Sequence, residues 1–115
     1  METELFAAST GRRERVTDIT GECARFTARA AGGGDGLLHV FVPHATAGLA
    51  LMELGARSDE DLLAVLAELL PAFLAPFLTI PVIGGAMALG TWQSIALVDL
   101  NVDNPDRQVR ISFLG

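Results

Sequence analysis

The sequence predicts an α+β fold: largely antiparallel β-sheets with two helices in one compact domain. Short apolar runs bounded by turn residues recur along the chain and outnumber the stretches with helical periodicity. Only two segments, 20–31 and the stretch from Ser58 to about Pro71, space their apolar residues three and four apart. At 115 residues the chain has material for one substantial core and no second domain. Half of its residues are apolar, more than a small monomer readily hides, so a homo-oligomer with an apolar interface is expected.

Leu5 to Thr10 and Val16 to Ile19 read as two short strands joined by the charged turn Gly11–Glu14, a first hairpin or edge pair. Thr20 sits where an N-cap is wanted, and Glu22 falls in the first turn, where the helix dipole favours a negative charge. Cys23, Phe26, Thr27 and Ala30 then follow at helical spacing, with Arg25 and Arg29 on the opposite face, so residues 20–31 form an amphipathic helix. The glycine run 32–36 ends it. A strand follows that run, whereas a phosphate-binding loop would lead into a helix.

Leu37 to Val42 is apolar apart from His39 and reads as a strand buried on both faces, stopped by Pro43. Ala50 to Leu54 extends as a further strand and Gly55 releases it. Ser58-Asp59-Glu60-Asp61 resembles a capping box opening the second helix, whose stripe is Leu62, Leu63, Leu66, Leu69, Leu70 and Phe73. Pro71 and Pro76 break what would otherwise be a membrane-length apolar stretch, so no membrane span is expected. Leu78–Ile83 and Ala86–Leu89 flank the two-glycine turn Gly84-Gly85, and Ser94–Leu100 and Val109–Leu114 are joined by a turn-rich segment.

Composition narrows the function. A net charge of −6 disfavours nucleic acid and anionic membrane as partners. All eight basic residues are arginine, which removes Schiff-base and P-loop lysine chemistry. The single cysteine, Cys23, precludes an internal disulfide and any multi-thiolate zinc site. With an acidic N-terminus lacking the features of a secretory signal, a cytoplasmic location is expected.

Two polar islands interrupt the apolar pattern, Pro43–Glu53 and Gly90–Gln93. His44 follows a strand and a proline; an imidazole titrating near neutrality serves as general base, acid or metal ligand, or simply as a hydrogen-bonded turn residue. His39 lies an odd offset away, on the opposite face of a continuous strand, and reads as structural or interfacial. Glu53 ends an apolar run, as a surface carboxylate or as one paired with Arg107 or Arg57. Trp92, the only tryptophan, reads as a buried aromatic beside Gln93, which offers both donor and acceptor to a ligand. Arg107 and Arg110 are either surface residues or bidentate anion binders.

The run from Gly36 to Leu49, reading GLLHVFVPHATAGL, together with Leu78-Thr79-Ile80-Pro81-Val82 and Ala88-Leu89-Gly90-Thr91-Trp92-Gln93, resembles the YjbQ family, also described as secondary thiamine-phosphate synthases. The likeness extends over nearly the whole chain. It implies a trimer and a weak transferase activity that couples a pyrimidine diphosphate to a thiazole phosphate with loss of pyrophosphate. Such chemistry calls for anion-binding groups and usually a divalent metal, here magnesium or zinc. Carried over by position, the resemblance makes His44 and Glu53 catalytic, with His44 also a metal ligand, and gives Thr46, Trp92, Gln93 and Arg107 the binding of a small phosphorylated ligand. Three departures stand against it: Ala45 replaces a threonine, Met52 replaces an asparagine, and only Ala72 to Phe77 bridges a connection that is longer and richer in histidine and acidic residues in the family. The rival expectation is a catalytically impaired relative that binds a small anion or acts as a trimeric scaffold.

Overall fold

A computed structural model of the chain describes residues 1–9, 16–44, 46–53, 74–99 and 106–115. Among these residues there are eight strands, β1 (Glu2–Ser9), β2 (Val16–Asp18), β3 (Gly36–Phe41), β4 (Ala47–Met52), β5 (Phe77–Ile83), β6 (Ala86–Met87), β7 (Ser94–Asp99) and β8 (Asp106–Leu114), and one helix, α1 (Thr20–Ala31). All strand pairs are antiparallel. They form a five-stranded sheet in the order β1-β8-β3-β5-β6 and a three-stranded sheet in the order β2-β7-β4. The expected second helix, the charged turn before β2 and the turn-rich segment before β8 lie outside the described residues. Among the described residues, no helix is long and apolar enough to cross a membrane.

The core forms where the inner faces of the two sheets and α1 converge. Leu38 and Val40 of β3, Ile80 and Val82 of β5, and Val109, Ile111 and Phe113 of β8 meet Leu49 of β4, Ile95 and Leu97 of β7, and Cys23 and Phe26 of α1. These are alternate residues on each strand of the larger sheet, as a half-covered antiparallel sheet requires. The expectation that the strand before Pro43 is buried on both faces is therefore corrected: Leu37 is exposed and His39 and Phe41 are only partly covered. β7 is the strand that reads as continuously buried, from Ile95 to Asp99.

The predicted first hairpin is also corrected. β1 pairs along its whole length with β8, Glu2 opposite Phe113 and Ser9 opposite Asp106, while β2 pairs with β7 in the other sheet. A short turn between two runs suggests a hairpin, but the partners are set by which faces can be buried, and the runs feed different sheets. Thr20 is likewise inside α1, and Ile19 holds the cap position without a side-chain bond. Asp18 does the work expected of Thr20, accepting both the Thr20 backbone N–H (2.9 Å) and its hydroxyl (2.6 Å). The freed Thr20 oxygen accepts the Ile95 N–H at 2.8 Å, stitching the helix start to β7.

The glycine run closes α1 with Gly32 in the left-handed region (φ 56°). It also receives the β5–β6 turn: Gly85 donates to the Gly34 carbonyl at 2.8 Å, Gly84 donates to an Asp35 carboxylate oxygen at 2.7 Å, and a Cβ on Gly85 would sit 2.9 Å from the Gly33 Cα. Backbone seats on backbone here, which explains the glycines without any phosphate. Between the sheets, Ala75 pairs with Leu49 on the edge of β4, whereas Pro76 accepts the Val42 N–H and Phe77 begins β5. Three residues thus carry the chain from one sheet to the other.

A Cβ on Gly48 would lie 2.9 Å from the Leu74 Cβ and 3.1 Å from the Ala75 carbonyl oxygen, so Gly48→Val should lower the unfolding free energy by about 1–3 kcal/mol, read as a lower urea midpoint at unchanged m. Burial, aided by the Glu22 and Asp18 carboxylates, pushes the Cys23 thiol from 9.0 up to about 12. Its contribution to stability is complete below pH 9 and is lost as the pH rises toward 12. Native protein should resist iodoacetamide at about pH 8 and react in denaturant, a contrast that mass spectrometry reads directly.

Candidate functional site

His44 is placed by the end of a strand. The β3–β8 ladder closes at Phe41 opposite Arg110, and the next β8 donor on that side is the Gln108 N–H. Rather than a backbone carbonyl, the His44 imidazole accepts it, Nε2 lying 3.0 Å from the Gln108 nitrogen. A backbone N–H only donates, so Nε2 is the bare nitrogen and the neutral ring carries its proton on Nδ1. The lone pair that a general base or metal ligand would use is therefore engaged in extending the sheet.

Beside it lies the one buried ion pair among the described residues. The Arg107 guanidinium on β8 donates from Nε to Asp99 Oδ2 at 2.9 Å and from Nη2 to Asp99 Oδ1 at 2.8 Å, and both side chains are 3% exposed. Nη2 also donates to the Thr46 hydroxyl at 3.2 Å. Since β8 belongs to the larger sheet and β7 and β4 to the smaller, this fork clamps the sheets together at one end. The Asp99 hydrogen bond holds the guanidinium's pKa above its ordinary value against the opposing effect of burial, so it stays charged.

Glu53, Trp92 and Gln93 lie elsewhere. β4 runs from Ala47 opposite Asp99 to Met52 opposite Ser94, so Glu53 and Gln93 flank the far end of that pairing, about 24 Å from Thr46 at roughly 3.4 Å per residue. Gln93 is spent on its own turn, its Oε1 accepting the Gly90 N–H at 2.8 Å and its N–H donating to the Gly90 carbonyl at 3.0 Å. Trp92 is 73% exposed, which corrects the expectation of a buried aromatic. Arg107 is not the partner of Glu53, and Arg57 is outside the described residues. His39, expected to be structural or interfacial, lies with Nδ1 3.1 Å from the Thr79 hydroxyl and stacks on Phe77 at 5.4 Å.

The structure thus unites His44, Thr46 and Arg107 and leaves Glu53, Trp92 and Gln93 apart. Sequence reasoning misses Asp99, although the signal is there: a carboxylate that follows four fully apolar strand residues must be paired. Nor do the described residues around His44 fit a divalent cation. Among the described residues no three His, Cys, Asp or Glu side chains converge, the His44 acceptor nitrogen is engaged, and Asp99 is neutralised by Arg107.

Residues 4–75 and 69–115 match the family described as UPF0047 protein YjbQ-like. The chain belongs to that family. It is 48% identical to the UPF0047 protein Rv2556c of Mycobacterium tuberculosis, over 99% of this chain and 98% of the relative. Against the UPF0047 protein of Methanothermobacter thermautotrophicus the identity is 30%, over 98% and 92%. Among solved structures it is similar to the hypothetical protein APE1520 of Aeropyrum pernix K1, 34% identical with a TM-score of 0.87 over 100% of this chain and 99% of the other. It also resembles SSO2532 of Sulfolobus solfataricus P2, described as a YbjQ-like protein of unknown function, 26% identical with a TM-score of 0.90 over 99% and 96%. The alignment with the mycobacterial protein runs over 136 positions and this chain has 115 residues, so at least 21 positions have no counterpart here. The two matched segments overlap at residues 69–75, next to the short connection 72–77.

Removing one member of the ion pair strands the other in the interior, so Arg107→Ala should cost about 3–5 kcal/mol, whereas Arg107→Met with Asp99→Leu should recover most of that loss. The two denaturant curves measure the difference. His44→Ala, which orphans one strand-end N–H, should cost only about 1 kcal/mol.

Proposed function

We propose that this chain is a catalytically impaired member of the YjbQ-like family that serves as a self-associating scaffold, a homotrimer by resemblance to the family. The observation that carries this reading is the bidentate, buried Arg107–Asp99 pair. A guanidinium whose Nε–Nη2 edge is held by a buried carboxylate is poorly placed to hold the phosphate of a transferase substrate, and the His44 lone pair beside it is similarly engaged. Glu53 and Gln93, the other groups such a reaction would draw on, sit at the opposite end of the smaller sheet. The absence of counterparts for at least 21 positions of the mycobacterial relative supports the same conclusion.

Self-association is supported by the outer face of the five-stranded sheet, where Leu5, Leu37, Phe77, Ile83 and Leu114 are exposed. Exposed apolar side chains gathered on one sheet face are a common mark of an association surface.

The purified protein, supplied with hydroxymethylpyrimidine diphosphate, thiazole phosphate and magnesium, should form no thiamine phosphate above the no-protein control, and His44→Ala should leave that result unchanged. Turnover at the rate of a full-length relative, lost in His44→Ala, would restore the transferase reading.

A further inference from the structure

The edge of a sheet is a row of backbone N–H and C=O groups without partners. β6 offers two residues of edge and β2 three, while β4 is met by Ala75 opposite Leu49. β1 offers eight, without a proline, and among the described strands only β8 pairs with it. Alternate backbone groups on its other side are therefore open to a further strand.

A seam runs beside that edge. α1 packs on β6, β8 and β7, which leaves the inner face of β1 outside the cover of the helix. Phe6 and Glu4 of β1 line a cleft of about 250 Å³ together with Glu22, Arg25, Phe26 and Arg29 of α1. Farther along β1, Glu2 shares a second cleft of about 390 Å³ with Ala30, Ala31, Asp35 and Phe113. The first cleft has an aromatic lining, and its charges are matched: Arg29 bridges the seam to Glu4 while lying over the Phe26 ring at 5.8 Å, and Arg25 is 3.5 Å from Glu22. The second cleft is acidic. Glu2 takes part in none of the ion pairs among the described residues, and Asp35 spends one oxygen on the Gly84 N–H.

We propose that this seam binds an extended peptide of a partner protein, which adds as a further strand to the free edge of β1 and carries an apolar side chain and a basic one four residues apart. Opposite residues on adjacent strands share a face, so the inward side chains of the added strand follow Phe6, Glu4 and Glu2 in turn. The apolar one enters the cleft at Phe6 and Phe26. The basic one, about 14 Å away at roughly 3.4 Å per residue, meets Glu2 and Asp35. Between them a polar residue lies over the Arg29–Glu4 bridge. Backbone pairing supplies the affinity of such a contact and the two side chains choose the partner. A second copy of β1 is a poor occupant, because its inward Glu2 and Glu4 would bring carboxylates and no cation to an acidic seam. This contact is independent of the scaffold reading above.

A threonine-rich peptide, acetylated and amidated, with phenylalanine and lysine four residues apart should bind the purified protein with a micromolar Kd by calorimetry and slow amide hydrogen exchange along β1. Moving the lysine one residue nearer the phenylalanine turns it to the opposite face, and N-methylating the set of alternate amides that faces β1 blocks the ladder. Each change should weaken binding at least tenfold. Glu2 is exposed, so Glu2→Lys should leave the fold intact, weaken the lysine peptide at least tenfold, and bind the same peptide once glutamate replaces its lysine. No binding at about 1 mM peptide overturns the proposal. So does equal binding of the shifted peptide, or tolerance of N-methylation on both sets of amides, since charge attraction alone would then explain it. Phenethylamine, a ring and an ammonium without a backbone, binding as tightly as the peptide would assign the clefts to a small cation and also overturn it. Protection of β1 amides that rises with protein concentration in the absence of peptide would give the edge to a second copy, with the same consequence.

Discussion

The interaction on which the rest depends is the fork between Arg107 and Asp99. β8 pairs with β1 and β3, β7 pairs with β2 and β4, and the two groups of strands share an apolar core that is indifferent to small sliding. A hydrophobic interface fixes which faces meet but tolerates slippage; a bidentate ion pair with a third donor contact to Thr46 tolerates very little. Its net energetic value against an apolar replacement is modest. Its value here is positional, since it sets the end of β7 against the start of β4 and the start of β8, and His44 takes its place from the same corner.

In that corner, residues that the resemblance marks as a site are engaged with one another and with the backbone. A histidine, a hydroxyl and an arginine converge in the chain, which is the set a phosphate-handling site would need. Each is spent on architecture: the imidazole caps a strand, the hydroxyl steadies a guanidinium, and the guanidinium neutralises a buried aspartate. Family membership therefore argues strongly for the fold and only weakly for chemistry.

Much of the fold is legible in the amino-acid sequence. α1 begins and ends where its periodicity and its glycines place it, and the two-glycine turn between β5 and β6 has the positive φ values, 60° and 85°, that its sequence demands. These features are local, governed by residues within a few positions of one another. The pairing of β1 with β8, at the two ends of the chain, and the division of the strands between two sheets are not legible, because partner choice depends on which faces find cover. The site is half legible for the same reason. His44, Thr46 and Arg107 stand out as residue types, but Arg107's partner lies eight residues away on another strand, hidden because it closes an apolar run. Trp92 reads wrongly as buried because it sits in an exposed turn, and aromatic character alone does not bring a residue into the core.

The crossing at Ala75–Phe77 bears on how this sequence came to be shorter than its relatives. The chain is pinned there to β4 by Ala75 and to β3 by Pro76 and Phe77, immediately after the junction of the two family-matched segments. Everything downstream takes its register from that anchor and not from the length of what precedes it. A change of chain length before this anchor can then leave the register of β5 and the strands after it unaltered.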